Sequence, residues 1–480
     1  MYLGIDLGTS GVKAVIVDDG GIVVAQATAR LDVSRPQPLW SEQSPADWWA
    51  ATEAAIGELD AGLRGKVRGI GLSGQMHGAV VLDKADRVLR PAILWNDGRA
   101  GPQCAALLER EPHASAITGN AILAGFTAPK LLWLAEHEPD VFAATQGILL
   151  PKDWLRLKMT GERVSDMSDA SGTLWLDVRA RQWSDAMLEA CGLTRSAMPE
   201  LVEGSAPSGR LTAEVAARWG MDRVPVAGGA GDNAAGAVGL GVVRPGQAFL
   251  SLGTSGVIFS VSDGFQPDVS HGIHAFAHAI PDTWHRMTVM LSAAACLDWG
   301  ARVLGFADVP ALLQEAEEAD PRSGVIFLPY LSGERSPHAD PDATGAWLGM
   351  TGATARADLA LAILEGVAMG LRDGLDALEA NGERITSLSM AGGGSRSALW
   401  GRIIAGALDR PLVWHEGAAV GPALGAAHLA RLALGEDDIA SIAKPGPVSA
   451  RIDPEPDITA RLAAKQPHFR ALYRALKTAR

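Results

Sequence analysis

Leu7-Gly8-Thr9-Ser10-Gly11-Val12 recurs, residue for residue, as Leu252-Gly253-Thr254-Ser255-Gly256-Val257. Each copy follows a short apolar run and leads into a β-rich one, which points to two halves of shared design. A glycine-rich turn between strands lets backbone approach an anionic oxygen, and its hydroxyls can donate to that oxygen. The residue before the turn differs: Asp6 precedes the first copy and Ser251 the second. If both turns face one cleft, a single carboxylate stands beside a pair of hydrogen-bonding loops. Such a carboxylate suits a hydrated Mg2+. Ordinary hairpin turns draw on the same residue types, and it is the repetition that weighs against that simpler reading.

Working outward, Tyr2–Leu7, Gly11–Asp18 and Ile22–Ala29 read as consecutive strands, and Ala248–Leu252 and Val257–Val261 repeat the pattern. A further strand pair flanks Pro281-Asp282-Thr283. Apolar residues at steps of three and four predict helices over Pro45–Glu58, Ala128–Glu136, Ala357–Ala380 and Ser397–Leu408. Val67–Leu72, Val224–Ala227 and Ile385–Met390 are short apolar runs that end in glycine before helical sequence. Open α/β sheets present ligands at such strand ends. The expectation is an α/β chain of two domains, since 480 residues exceed one ordinary core. The glycine-rich stretch Gly239–Pro245 divides it into residues 1–243 and 244–480. The segment after Leu434 fits either half.

The net charge of −13, with no dense Lys/Arg run, argues against nucleic acid or an anionic membrane as the main partner. A phosphorylated ligand remains open, because backbone N–H groups and a metal hold phosphate without many basic side chains. Cys104, Cys191 and Cys296 form no disulfide framework. A strand that opens at residue 2 leaves no signal peptide to be expected, and every apolar segment breaks before a membrane span's length. A cytoplasmic enzyme is expected.

Three more segments carry chemistry. In Gly228-Gly229-Ala230-Gly231-Asp232-Asn233, Asp232 occupies a strand-to-helix turn and suits a general base for a substrate hydroxyl; it equally suits a helix cap. Ala391-Gly392-Gly393-Gly394-Ser395-Arg396-Ser397 opens a helix and admits a ring or a phosphate close to the backbone, yet it is neither a P-loop nor a dinucleotide fingerprint. Ser73-Gly74-Gln75-Met76-His77-Gly78 offers polar groups for hydroxyl recognition, although a lone histidine is often structural. His271, His274 and His278 have a zinc-like spacing, but that stretch alternates like a strand and lacks a fourth ligand.

Together these segments resemble the FGGY carbohydrate kinases of the actin/hexokinase/Hsp70-like superfamily. Gly125-Phe126-Thr127-Ala128-Pro129-Lys130-Leu131-Leu132-Trp133-Leu134-Ala135-Glu136-His137 fits one family signature. Gly345-Ala346-Trp347-Leu348-Gly349-Met350, with Asp358-Leu359 and Ala362-Ile363-Leu364-Glu365, fits the other. The resemblance runs from residue 1 to about residue 430. It implies two ribonuclease-H-like domains with the active site in the cleft between them. Trp40-Ser41-Glu42-Gln43, Gly74–Gly78, Ile93–Arg99, Gly231–Gly236 and Tyr330–His338 are most similar to family members that phosphorylate D-xylulose with ATP and Mg2+.

By that resemblance Asp232 is the catalytic base, and Met76, His77 and Asn233 meet the sugar. Asp6 serves the site of a hydrated Mg2+, with Thr9, Ser10 and Lys13 near the transferred phosphate. Gly253 and Thr254 form the second phosphate loop, and Gly393, Gly394 and Ser397 the adenosine site. Trp95, Asn96 and Phe126 are candidates for the sugar pocket's outer wall. Sugar and ATP are the implied partners, and a homodimer is compatible. Ribulose, fuculose, gluconate or glycerol remain alternative acceptors, since phosphate loops carry no sugar information. A non-catalytic actin- or Hsp70-like ATPase or a sugar sensor would be expected to have lost Asp6 or Asp232; both are present.

Overall fold

Both copies of the repeated hexapeptide are hairpin turns. The computed structural model describes residues 1–391, 397–417, 420–435, 438–442 and 444–480. In the first half β1 (Tyr2–Gly8) pairs antiparallel with β2 (Gly11–Val17), Gly8 facing Gly11, and β3 (Val23–Arg30) pairs antiparallel with β2. After α1 (Pro45–Glu58), β4 (Gly69–Gly74) runs parallel to β1. The chain then forms α2 (Thr127–His137), α3 (Pro151–Thr160) and α4 (Met167–Ser171) before β5 (Pro225–Ala227) joins β4 in parallel, and α5 (Asp232–Gly239) follows.

The second half repeats this order. β6 (Ala248–Leu252), β7 (Gly256–Ser262), β8 (His274–Ala277) and β9 (Trp284–Met290) form an antiparallel group in which β7 lies between β6 and β9. α6 (Ala294–Leu304) and α7 (Arg356–Glu379) precede β10 (Leu388–Ala391), which is parallel to β6. α8 (Ala398–Leu408) then leads to β11 (Leu412–His415), parallel to β10. The strand orders β3-β2-β1-β4-β5 and β9-β7-β6-β10-β11 match in sequence and direction, the pattern expected of two ribonuclease-H-like halves. A mixed sheet with helices on its faces must bury both faces. Leu3, Ile5, Ile70 and Leu72 accordingly pack with Trp48 and Ile56 of α1, and Leu250 and Ile258 share a core with Leu364, Val367 and Leu371 of α7.

Beyond β11 lie α9 (Pro422–Ala433), β12 (Val448–Ile452) and α10 (Pro456–Ala479). Division at residues 243/244 assigns α9 to the second half, yet it lies on the first sheet, against β1, β4 and α5. The approach is backbone to backbone. A Cβ at Gly71 would stand 1.8 Å from the Ala426 carbonyl oxygen, and one at Gly425 the same distance from that of Ala235. By contrast α10 packs on the second half, where Leu462 enters the core and Phe469 and Tyr473 meet Tyr330 and Met369. No helix among the described residues is long and apolar enough to cross a membrane.

Candidate active site

Asp6 lies on β1 opposite Lys13 on β2 and Ser73 on β4. Ser73 Oγ donates to Asp6 Oδ1 at 3.0 Å. Burial raises the Asp6 carboxyl above its ordinary range, opposed by the Ser73 bond and the Lys13 charge. Lys13 Nζ reaches across to the Val420 carbonyl, 3.3 Å away, just before α9.

Asp232 is the first residue of α5. Ala230 and Gly231 pair with Ser73 and Gly74, which brings the carboxylate beside Asp6. It is not a helix cap: Gly231 holds the N-cap position, and Asp232 Oδ1 instead accepts from the backbone N–H (2.7 Å) and amide (3.0 Å) of Asn233. Burial, and then repulsion from Asp6, push the Asp232 carboxyl up to about 7 despite those two bonds. Two carboxylates sharing one pocket cannot both ionise freely, and a carboxyl near neutrality is well matched to proton abstraction.

Met76 packs against the turn that presents Asp232; a Cβ at Gly231 would lie 2.8 Å from Met76 Cγ. His77 has φ 68, and Lys130 Nζ (2.8 Å) and Thr127 Oγ1 (3.1 Å) both donate to its carbonyl. Its Nδ1 lies 2.6 Å from the Gly172 carbonyl. Burial, reinforced by the charges of Lys130 and Arg335, lowers the imidazole to about 3. The ring is therefore neutral. Because a carbonyl only accepts, Nδ1 carries the hydrogen and Nε2 is an acceptor, the polarity that suits a sugar hydroxyl.

The Phe126 ring centroid is 4.5 Å from that of His77, and His274 and Phe276 of β8 approach Phe126 at 5.7 and 6.3 Å. Both halves thus contribute to this wall. Trp95 is 48% exposed, its indole N–H donating to Thr9 Oγ1 at 3.0 Å, and Asn96 is exposed.

Thr9 Oγ1 donates to Gln75 Oε1 at 2.9 Å. Gln43 Nε2 donates to the Thr9 carbonyl (2.8 Å), while Gln75 Nε2 and Trp48 Nε1 donate to Gln43 Oε1. The loop is thereby tied to the segment that bears Met76 and His77. Ser10 is exposed. In the second loop the Gly253 and Thr254 carbonyls accept from Ala294 (3.0 Å) and Ala293 (2.9 Å), which fixes the loop to the start of α6. Gly393 and Gly394 lie outside the described residues. Ser397 caps α8, its Oγ accepting from the Trp400 N–H at 3.3 Å. His271, His274 and His278 do not converge: among the described residues there is no group of three metal-ligating side chains.

Gln43, Lys130 and the buried ions of α3 have no role of their own in the sequence reading. Their signal was charge or amide set among apolar neighbours, as in Leu150-Pro151-Lys152-Asp153-Trp154-Leu155-Arg156.

The family model for the FGGY carbohydrate kinases, N-terminal domain, matches residues 1–239, and that for the C-terminal domain matches residues 248–434. The chain belongs to the FGGY carbohydrate kinase family. It is 52% identical to the xylulose kinase of Escherichia coli K12, over 99% of each chain. A crystal structure of a xyloylose kinase from Brucella ovis superposes with a TM-score of 0.97 at 48% identity, covering 100% of both chains. A gluconate kinase structure from Lactobacillus acidophilus reaches a TM-score of 0.93 at 25% identity, covering 99% of this chain and 97% of that one. The shared fold therefore leaves the acceptor to be decided by side chains.

Proposed function

We propose that the protein transfers the γ-phosphoryl group of ATP to the 5-hydroxyl of D-xylulose, giving D-xylulose 5-phosphate and ADP. The observation that carries this reading is Asp232 set beside Asp6 at the start of a helix, with Met76 packed on the turn before it and His77 next to Met76 in the chain. Full-length identity of 52% to a xylulose kinase supports the choice of sugar.

Phosphoryl transfer needs alignment, charge neutralisation and a base at the attacking hydroxyl more than covalent help. Asp232 takes the hydroxyl proton as the sugar oxygen bonds to the γ-phosphorus and the bond to the bridging oxygen breaks, releasing ADP. His77 Nε2 and the Asn233 amide orient the sugar, with Met76 packed behind. Lys13, Ser10 and the Gly253-Thr254 loop surround the phosphates. Asp6 suits Mg2+, because one hard carboxylate beside substrate phosphates is the donor set that ion takes while keeping several waters. Bound there, the ion would supply charge neutralisation at the phosphates.

An ADP-release assay over D-xylulose, D-ribulose, L-fuculose, gluconate and glycerol tests the proposal. D-xylulose should exceed every other acceptor in kcat/KM by at least about tenfold, or ~1.4 kcal/mol. A flat profile, or a maximum on another acceptor, would sink the substrate assignment.

A further inference from the structure

Behind the turn that carries Asp232 lies a group of ions that the transfer chemistry does not use. Lys152, Asp153, Arg156, Asp166 and Asp169 are all fully buried. Lys152 Nζ stands 2.5 Å from Asp153, 2.7 Å from Asp166 and 3.2 Å from Asp169. Arg156 donates to Asp153 at 2.7 Å. Burial, opposed by the Lys152 charge and reinforced by Asp153 and Asp166, holds the Asp169 carboxyl well above its usual range.

A buried ion group adds little net stability over well-packed apolar residues, so what it holds matters. Two of its bonds leave the cluster for one destination. The Arg156 guanidinium donates to the Gly228 carbonyl. Ser168 Oγ accepts from the Gly231 N–H at 3.2 Å while donating to Asp166 Oδ2 at 2.5 Å. Gly231 immediately precedes Asp232. Other bonds to this turn come from loop carbonyls, Ala206 accepting from the Gly228 N–H and Gly204 from that of Gly229, and from the pairing of Ala230 and Gly231 with Ser73 and Gly74. The same layer supports the sugar side, since the Asp169 carbonyl accepts from the Gly172 N–H and Gly172 in turn holds His77.

We infer that Arg156 and Ser168 are positioning residues: anchored in the buried ion cluster, they grip the Gly228–Gly231 turn from behind and aim Asp232 at the acceptor hydroxyl. The inference rests on Asp232 being the base. Glycines at three of the four positions before Asp232 would otherwise leave that turn with many conformations, and misplacement by about 1 Å costs on the order of a hundredfold in rate.

Ser168→Ala removes the acceptor for Gly231, and Arg156→Lys keeps the charge but shortens the reach to Gly228. For each variant, kcat on D-xylulose is divided by the number of nucleotide sites titrated with labelled ATP, which counts folded enzyme only. Per site, kcat should fall about tenfold to a hundredfold, with the ATP Kd changed less than about twofold. A per-site kcat within about threefold of wild type in whichever variant folds would overturn the inference and leave the cluster a packing feature. A parallel loss of ATP affinity and kcat would overturn it too, since that reports general damage. The base assignment fails separately, through Asp232→Asn retaining activity, and the sugar assignment through the wild type's acceptor profile.

Discussion

Asp232 is costly to the fold in the form that chemistry needs. Its carboxyl titrates near 7 in the folded chain against an ordinary 3.8, so the folded state binds its proton more tightly than the unfolded state does. Ionised Asp232 therefore lowers stability: the loss is absent below the unfolded value, grows as pH rises, and is complete above about 7. Asp232→Asn should accordingly melt higher than wild type at about pH 8, with the gain shrinking towards about pH 5. A pH-independent difference in melting temperature would contradict the burial and Asp6 repulsion that shift the group. His77 makes the complementary case. With its imidazole lowered to about 3, D-xylulose affinity should show no histidine titration between about pH 5 and about pH 8. His77→Phe keeps an aromatic contact for Phe126 but deletes the Nε2 acceptor. Its KM for D-xylulose should rise about tenfold or more while the ATP Kd holds, as read by steady-state kinetics and nucleotide titration.

At the scale of elements, the strands around both hairpins and the helix Pro45–Glu58 were legible because local rules agree: alternation, glycine turns, and Pro45 at the helix start. The same holds for α7, whose apolar spacing runs through all its turns. The destination of α9 was not legible. Its small and apolar residues on all sides announce burial, yet nothing local says that the burying surface is the other half's sheet. The glycines at 4 and 71 carried that information, but glycine within a strand has several causes. Gly425→Ala should cost about 1–3 kcal/mol or more, because the new methyl would meet the Ala235 carbonyl at 1.8 Å. Gly57→Ala, in α1 with nothing within 4 Å of the new Cβ, should instead stabilise by about 0.5–1 kcal/mol. Denaturant unfolding of the pair measures the contrast; equal effects would contradict the close docking of α9.

Across the whole molecule, two halves of one strand order carry unequal tasks. The first holds both carboxylates with Met76 and His77, while the second presents the Gly253-Thr254 turn and, against Phe126, His274 and Phe276. Helix α9 and the Lys13–Val420 bond join the halves near the Gly8–Gly11 turn. The candidate site was largely readable as a set of motifs, since Asp6 and Ser73 lie near the carboxyl ends of strands, Met76 and His77 follow one, and Asp232 opens a helix after a glycine turn. Its support was not, because Lys152, Asp153 and Arg156 look in sequence like a solvated helix face, and only the fold turns them inward. The account stands or falls on Asp232 as base for a sugar hydroxyl. Rapid-quench single turnovers of Mg-ATP with D-xylulose, in wild type and Asp232→Asn over a range of pH, test this most directly. The account predicts a wild-type rate that rises with loss of one proton to a plateau above about pH 7, and a variant at least about a hundredfold slower that still binds ATP. A variant within about tenfold of wild type, with the same pH profile, would contradict it.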